Sequence, residues 1–159
     1  FMGGDLQVEA AETIRIYDMA KNNPANIIKA FRYIRHDGIH RKFLSYLYNR
    51  LFCILYQIDV RDVNGTPKIF RAEFLKSLDL QSKRSFFDAE LLIKLTCLGC
   101  KVFEVPVESK KRAVGRSKVR LSTMLELFWD LVRFRFGSEF RRWKRCDKAK
   151  NICRMLGEF

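Results

Sequence analysis

Residues 88–107 read DAELLIKLTCLGCKVFEVPV. The first eleven of these, Asp88 to Leu98, predict a helix, closed by Gly99 in the left-handed position that glycine occupies without steric cost. Lys101 to Val107 then alternates apolar and polar side chains, which is the period-two pattern of a strand ending near Pro106. A helix that turns on one glycine into a strand is the repeating unit of α/β proteins, and the flanking sequence has the same character.

Working upstream, Phe74 to Leu78 predicts a short helix, and Lys68-Ile69-Phe70 a short strand behind the loop Asp62-Val-Asn64-Gly65-Thr-Pro67. Ile39 to Ile58 predicts a long helix with apolar residues on most faces, expected to be largely buried or to lie against a membrane. His36-Asp37-Gly38 reads as a turn. Asn26 to Tyr33 predicts a strand, and residues 8–22 a helix stopped by Asn22-Asn23-Pro24. Downstream, Ser109 to Lys118 is a basic Gly/Ser-containing loop, and Leu121 to Phe136 an amphipathic helix ended by Gly137. Glu139 to Leu156 is expected to be a short basic helix. No repeat or low-complexity tract interrupts this order.

The chain has 159 residues, the length of one domain, and its 48% hydrophobic content with fourteen Phe supplies a core. The most apolar windows, 43–58 and 121–136, are broken by Asn49 and Arg50 and by Glu126, Asp130, Arg133 and Arg135, so a membrane-spanning helix is not expected within them. Net charge is +13. Residues 1–100 hold 15 basic and 11 acidic side chains, whereas residues 101–159 hold 16 and 7. A basic end of this kind predicts a polyanionic partner: nucleic acid, anionic headgroups or a phosphorylated substrate. Five Cys, with no secretory leader, point to free thiols. Cys97 and Cys100 have metal-ligand spacing, but Cys146 and Cys153 are separated by six residues and neither His lies nearby, so they read as small apolar residues at a helix end.

Several stretches, in order, resemble a family-2 glycosyltransferase, and within it the polyprenyl-phosphate (dolichyl-phosphate mannose synthase-like) enzymes. Phe1-Met2-Gly3-Gly4-Asp5-Leu6-Gln7 resembles the family's Asp-x-Asp-x-Gln segment. Lys29-Ala-Phe-Arg32, Arg35-His-Asp-Gly38-Ile-His-Arg41 and Ser45 resemble the stretch after its next strand. Asp62-Val-Asn-Gly65-Thr-Pro-Lys68-Ile-Phe70, Phe87-Asp88-Ala-Glu90-Leu91, Glu104-Val-Pro-Val107 and Arg112-Ala-Val-Gly115-Arg-Ser117-Lys118 complete the series. The likeness implies the C-terminal part of a GT-A-type α/β sandwich over residues 1–137, with 138–159 as a basic helical tail. Because the sequence opens inside the metal-binding turn, the expectation is a fragment that lacks the nucleotide-binding half and is inactive alone.

The resemblance also implies roles. Asp5 and Gln7 would hold Mg²⁺ or Mn²⁺ against a departing diphosphate, although Gly3 replaces the family's first aspartate; on its residues alone, Asp5 reads equally as a helix N-cap. Arg32, Arg41 and Ser45, with Arg35 assisting, would bind an acceptor phosphate, since guanidinium groups present paired planar donors to it; the competing reading is the wet side of an interfacial helix. Asp88 and Glu90 match the catalytic acidic pair, with a helix cap as the plain alternative for Asp88. Arg112, Gly115, Ser117 and Lys118 would approach donor or acceptor phosphates, or form a solvated loop. Asp62 and Asn64 read as turn residues. Leu121, Met124, Leu125, Phe128, Leu131 and Val132 form one helix face, expected either on a lipid surface or on the core. The function so implied is sugar transfer from a GDP- or UDP-sugar to a polyprenyl phosphate on the cytoplasmic face of a membrane. The alternatives are a family-2 enzyme with a saccharide acceptor and, less in keeping with aromatics confined to apolar helices, a nucleic-acid-binding domain.

Overall fold

The computed structural model describes residues 1–2, 7–22, 27–34, 38–82, 86–110 and 121–145. The expected site residues Asp5, Arg35, Arg112, Gly115, Ser117 and Lys118 lie outside them. In chain order the elements are α1 (Ala10–Lys21), β1 (Ile27–Ile34), α2 (Ile39–Tyr56), β2 (Lys68–Ile69), α3 (Ala72–Ser77), α4 (Phe87–Cys97), β3 (Val102–Glu108), α5 (Leu121–Phe136) and α6 (Ser138–Arg145). The chain is mixed α/β, as the pattern around Gly99 predicts.

The sheet has the order β2-β1-β3. β2 runs antiparallel to β1, with Ile28 opposite Ile69 and Lys29 opposite Lys68. β3 runs parallel to β1, with Ile27 opposite Val102 and Val107 opposite Arg32. Parallel neighbours need a long crossover, here supplied by α2 to α4. The first four residues of β1 are buried on both faces, which explains why Ile27, Ile28 and Ala30 read as a nearly unbroken apolar run. On one face Ile16 of α1 packs with Ile28, Ala30, Val105 and Val107. The larger core holds Ile27 with Tyr48 and Phe52 of α2, Leu91, Leu92 and Leu95 of α4, Leu131 and Phe134 of α5, and Phe140 of α6.

Helix α2 ends at Gln57, in the left-handed region at φ 57°, whose N–H donates to Cys53 O at 2.8 Å. Gly99 closes α4 at φ 94°, a conformation that a side chain would strain. Helix α5 is fixed on α2 by three contacts. Phe128 meets Tyr48 edge-on at 5.6 Å, Tyr56 Oη donates to Leu131 O at 2.9 Å, and Arg135 Nε donates to Leu55 O at 2.9 Å.

The apolar face of α5 divides differently from the sequence expectation. Met124 and Leu131 are buried with Leu127 and Phe134, so this face belongs to the core, while Leu125 is exposed. The reason is spacing: 124, 127, 131 and 134 follow the helical repeat closely, whereas Leu125, Trp129 and Phe136 lie on the opposite side. Among the described residues, no helix is long and apolar enough to cross a membrane.

Candidate active site

Two lysines facing each other across β1 and β2 organise the polar interior. Lys29 is fully buried, and its Nζ donates to Asp62 O at 2.5 Å, Glu104 Oε1 at 2.9 Å and Ala30 O at 3.1 Å. Those three bonds match the donor capacity of an ammonium group. Glu104, opposite Lys29 on β3, also accepts from the backbone N–H groups of Asp62 at 3.2 Å and Arg61 at 2.7 Å. The loop before β2 is therefore strapped to the central strand. Its Asp62 carboxylate in turn accepts a fork from Arg32, with Nε at 2.7 Å and Nη2 at 2.9 Å.

The second lysine, Lys68, is also fully buried, and its Nζ donates to Asp88 Oδ1 at 2.5 Å. Burial pushes its ammonium down to about 8, against the pull of the Asp88 charge and with a further push from Lys29. Asp88 stands in the first turn of α4 with its side chain 19% exposed, so the carboxylate reaches solvent. Phe1 pairs with Lys68 through two backbone hydrogen bonds of 3.0 and 2.8 Å and packs its ring on Phe87.

Glu90, the expected partner of Asp88 in catalysis, has a different geometry. Its side chain is wholly buried and pairs with Lys94 at 2.5 Å. Its carboxylate accepts the N–H groups of Gln81 at 3.1 Å and Ser82 at 2.7 Å, while Lys94 donates to Leu78 O and Asp79 O. Burial pushes the Glu90 carboxyl up, but the bonds from Lys94, Ser82 and Gln81 outweigh it and hold it below its ordinary value. Glu90 is thus a staple for the loop ahead of α4. A group that must meet a reacting atom needs access to it, and Asp88 has that access where Glu90 does not.

Arg41 and Ser45 lie half-buried on the inward face of α2, in line with buried Tyr48, Asn49 and Phe52. Asn49 ties this face to the Asp62 loop, donating to Arg61 O at 2.7 Å and accepting from Val63 N–H at 3.2 Å. Arg41 and Ser45 lie on the opposite side of α2 from its exposed apolar residues Ile39, Phe43, Tyr46, Leu47 and Ile54. Arg32 is engaged with Asp62, so it enters any anion site as half of an ion pair. Gln7 and Lys110 exchange bonds: Gln7 Nε2 donates to Lys110 O at 3.1 Å and Lys110 N–H to Gln7 O at 2.9 Å. Asp5 and Gln7 would offer only hard oxygens, the donor type that Mg²⁺ and Mn²⁺ take. Among the described residues, no three His, Cys, Asp or Glu side chains come together to hold a metal ion. At the carboxyl ends of β1 and β3, where α/β sheets bind ligands, a cleft of about 560 Å³ lies between Glu12, Arg15, Tyr33, Pro106, Glu108 and Lys110.

Sequence reasoning passed over Lys29, Lys68 and Glu104, and took Asp62 for a turn residue. The signal was present as a charge at the centre of an otherwise apolar strand, Ile27-Ile-Lys29-Ala30, since a lysine there must find partners.

Comparison with known proteins gives two relatives in Trichomonas vaginalis, both dolichyl-phosphate beta-glucosyltransferases. One is 29% identical over 110 residues, covering 68% of this chain and 33% of the relative. The other is 32% identical over 111 residues, covering 69% of this chain and 32% of the relative. The chain therefore spans about a third of the length of the curated relatives it matches. No family model matches the chain. No solved structure matches it.

Proposed function

We propose that this chain is part of a family-2 glycosyltransferase, with a GT-A-type sandwich, that moves a sugar from a nucleotide-diphosphate sugar to a polyprenyl phosphate. The observation that carries the reading is the likeness, over two thirds of the chain, to two enzymes named as dolichyl-phosphate beta-glucosyltransferases. The geometry is in keeping with it. Of the pair Asp88 and Glu90, Asp88 is the one with access to solvent, in the first turn of α4. A phosphate acceptor is already anionic and would repel a carboxylate, so Asp88 serves to orient the sugar, whose hydroxyls can donate to it, and acts as a general base only if the acceptor is a neutral hydroxyl. Arg41 and Ser45, one helical turn apart on α2, supply the charge and hydroxyl for the acceptor phosphate. Arg35 and the Arg112, Gly115, Ser117 and Lys118 stretch are assigned to phosphate contacts on the resemblance. A divalent ion held by Asp5 and Gln7 would supply charge compensation for the leaving diphosphate.

In the full-length protein, Arg41→Ala is expected to raise the apparent constant for polyprenyl phosphate roughly ten- to hundredfold, the loss of one charge-assisted hydrogen bond of about 1.5–3 kcal/mol. The constant for the nucleotide sugar should move far less. Kinetics with each substrate varied in turn decide the point, and equal changes in both would remove Arg41 from the acceptor site.

The reading extends to a membrane surface. Ile39, Phe43, Tyr46 and Ile54 on α2 and Leu125, Trp129 and Phe136 on α5 are exposed, and Arg50, Arg133 and Arg135 accompany them. Apolar side chains beside cations suit the interface of an anionic bilayer. The expected result for Phe43→Asp with Trp129→Asp is a clear loss of flotation with phosphatidylserine-containing vesicles. Unchanged flotation would show that another part of the protein makes the contact.

A further inference from the structure

We propose that Lys68 is a positioning residue for sugar transfer, holding the Asp88 carboxylate in the orientation in which it meets a hydroxyl of the reacting sugar. The proposal rests on the function proposed above. Among the described residues three lysines are buried, and two of them are saturated staples. Lys29 bonds to two carbonyls and Glu104, and Lys94 to two carbonyls and Glu90. Lys68 differs. Among the described residues its Nζ has one hydrogen-bond acceptor, Asp88 Oδ1, whose side chain is 19% exposed against 13% for Glu104 and 0% for Glu90.

Burying an ammonium costs several kcal/mol, and a half-open ion pair recovers less of it than a closed one. A methionine would fill the same space beside Ile69 without that cost. The charge is thus kept at a cost, and the one carboxylate it hydrogen-bonds is Asp88. The neighbourhood behind Asp88 is polar in a second respect. Tyr48 Oη is buried and has no hydrogen-bond partner among the described residues. Burial, and after it the Asp88 charge, hold that phenol far above its ordinary range, so it stays a neutral donor. Buried polar groups are nearly always paired, so an unpaired phenol within reach of the Asp88 charge calls for an explanation.

The charged groups that act on Lys68 are Asp88, Lys29 directly across the strand pair, and Asp62. Lys68 carries its charge at neutral pH and gives it up as pH rises through about 8. Above that point Asp88 loses its partner, and transfer should decline.

The test is steady-state kinetics in the full-length protein, with thermal unfolding to establish that each variant is folded. Lys68→Met should lower kcat ten- to hundredfold with the nucleotide-sugar KM nearly unchanged. Lys68→Arg should keep most of the activity and lose the alkaline limb near pH 8, because a guanidinium does not deprotonate there. Lys68→Met combined with Asp88→Asn should be no slower than Asp88→Asn alone. Losses that multiply in the double variant, or an alkaline limb retained by Lys68→Arg, would overturn the proposal. If Lys68→Met does not fold, the pH profile of Lys68→Arg carries the test by itself. A wild-type protein that transfers no sugar to any acceptor overturns the parent reading, and this proposal with it.

Discussion

Gly65→Ala is expected to destabilise the fold by about 3 kcal/mol or more, the upper range for forcing an atom into a packed interior. A Cβ at this position would stand 2.1 Å from Ala30 O and 3.2 Å from Asp62 O. Both obstacles are backbone, and Ala30 belongs to the central strand, where β2 and β3 hold it from either side. The clash has no flexible side chain to absorb it, so the loop must lift. Lifting it pulls Asp62 away from Lys29 and Arg32 and breaks the bond from Gly65 N–H to Asp62 O at 2.9 Å. Urea unfolding of the purified protein measures the effect. A midpoint equal to wild type would show that the loop does not press on β1.

Glu104→Ala should cost about 3–5 kcal/mol, the cost of breaking a buried ion pair from one side. Lys29 would lose its counter-ion, and the N–H groups of Arg61 and Asp62 would lose their acceptor. Glu104→Gln, which retains an acceptor oxygen, should fall between. Removing the stranded charge as well, in Lys29→Met with Glu104→Ala, should recover part of the loss, because no buried ammonium is then left without a counter-ion. A single Glu104→Ala variant within about 1 kcal/mol of wild type would contradict the strap described for this loop, since that is the scale of an exposed pair.

The elements of the fold were legible because each carries a local signal. The run at β1, the alternation at β3 and the glycine stop at residue 99 need no knowledge of the rest of the chain. Helix α5 was found from the same signal, at the bounds the structure gives it, but which side faces the core depends on where α2 lies, and no local pattern contains that. The site was legible in a different measure. Asp88 stood out as an acidic residue opening a helix, yet Glu90, two residues on, looked equivalent in sequence. What separates them is tertiary: the loop at Leu78 to Ser82 folds over Glu90 and consumes its oxygens. Lys29, Lys68 and Glu104 were hidden for the same reason, since a charge within a strand shows that partners exist without saying which.

The central claim is that the acceptor is a polyprenyl phosphate. It is tested most directly by incubating the purified full-length protein with labelled nucleotide sugars and dolichyl phosphate in detergent, then extracting the lipid phase. The account predicts a labelled dolichyl-phosphate sugar that forms in proportion to dolichyl phosphate and is absent when free dolichol replaces it. Label transferred to a saccharide acceptor, with none entering the dolichyl phosphate, would contradict it.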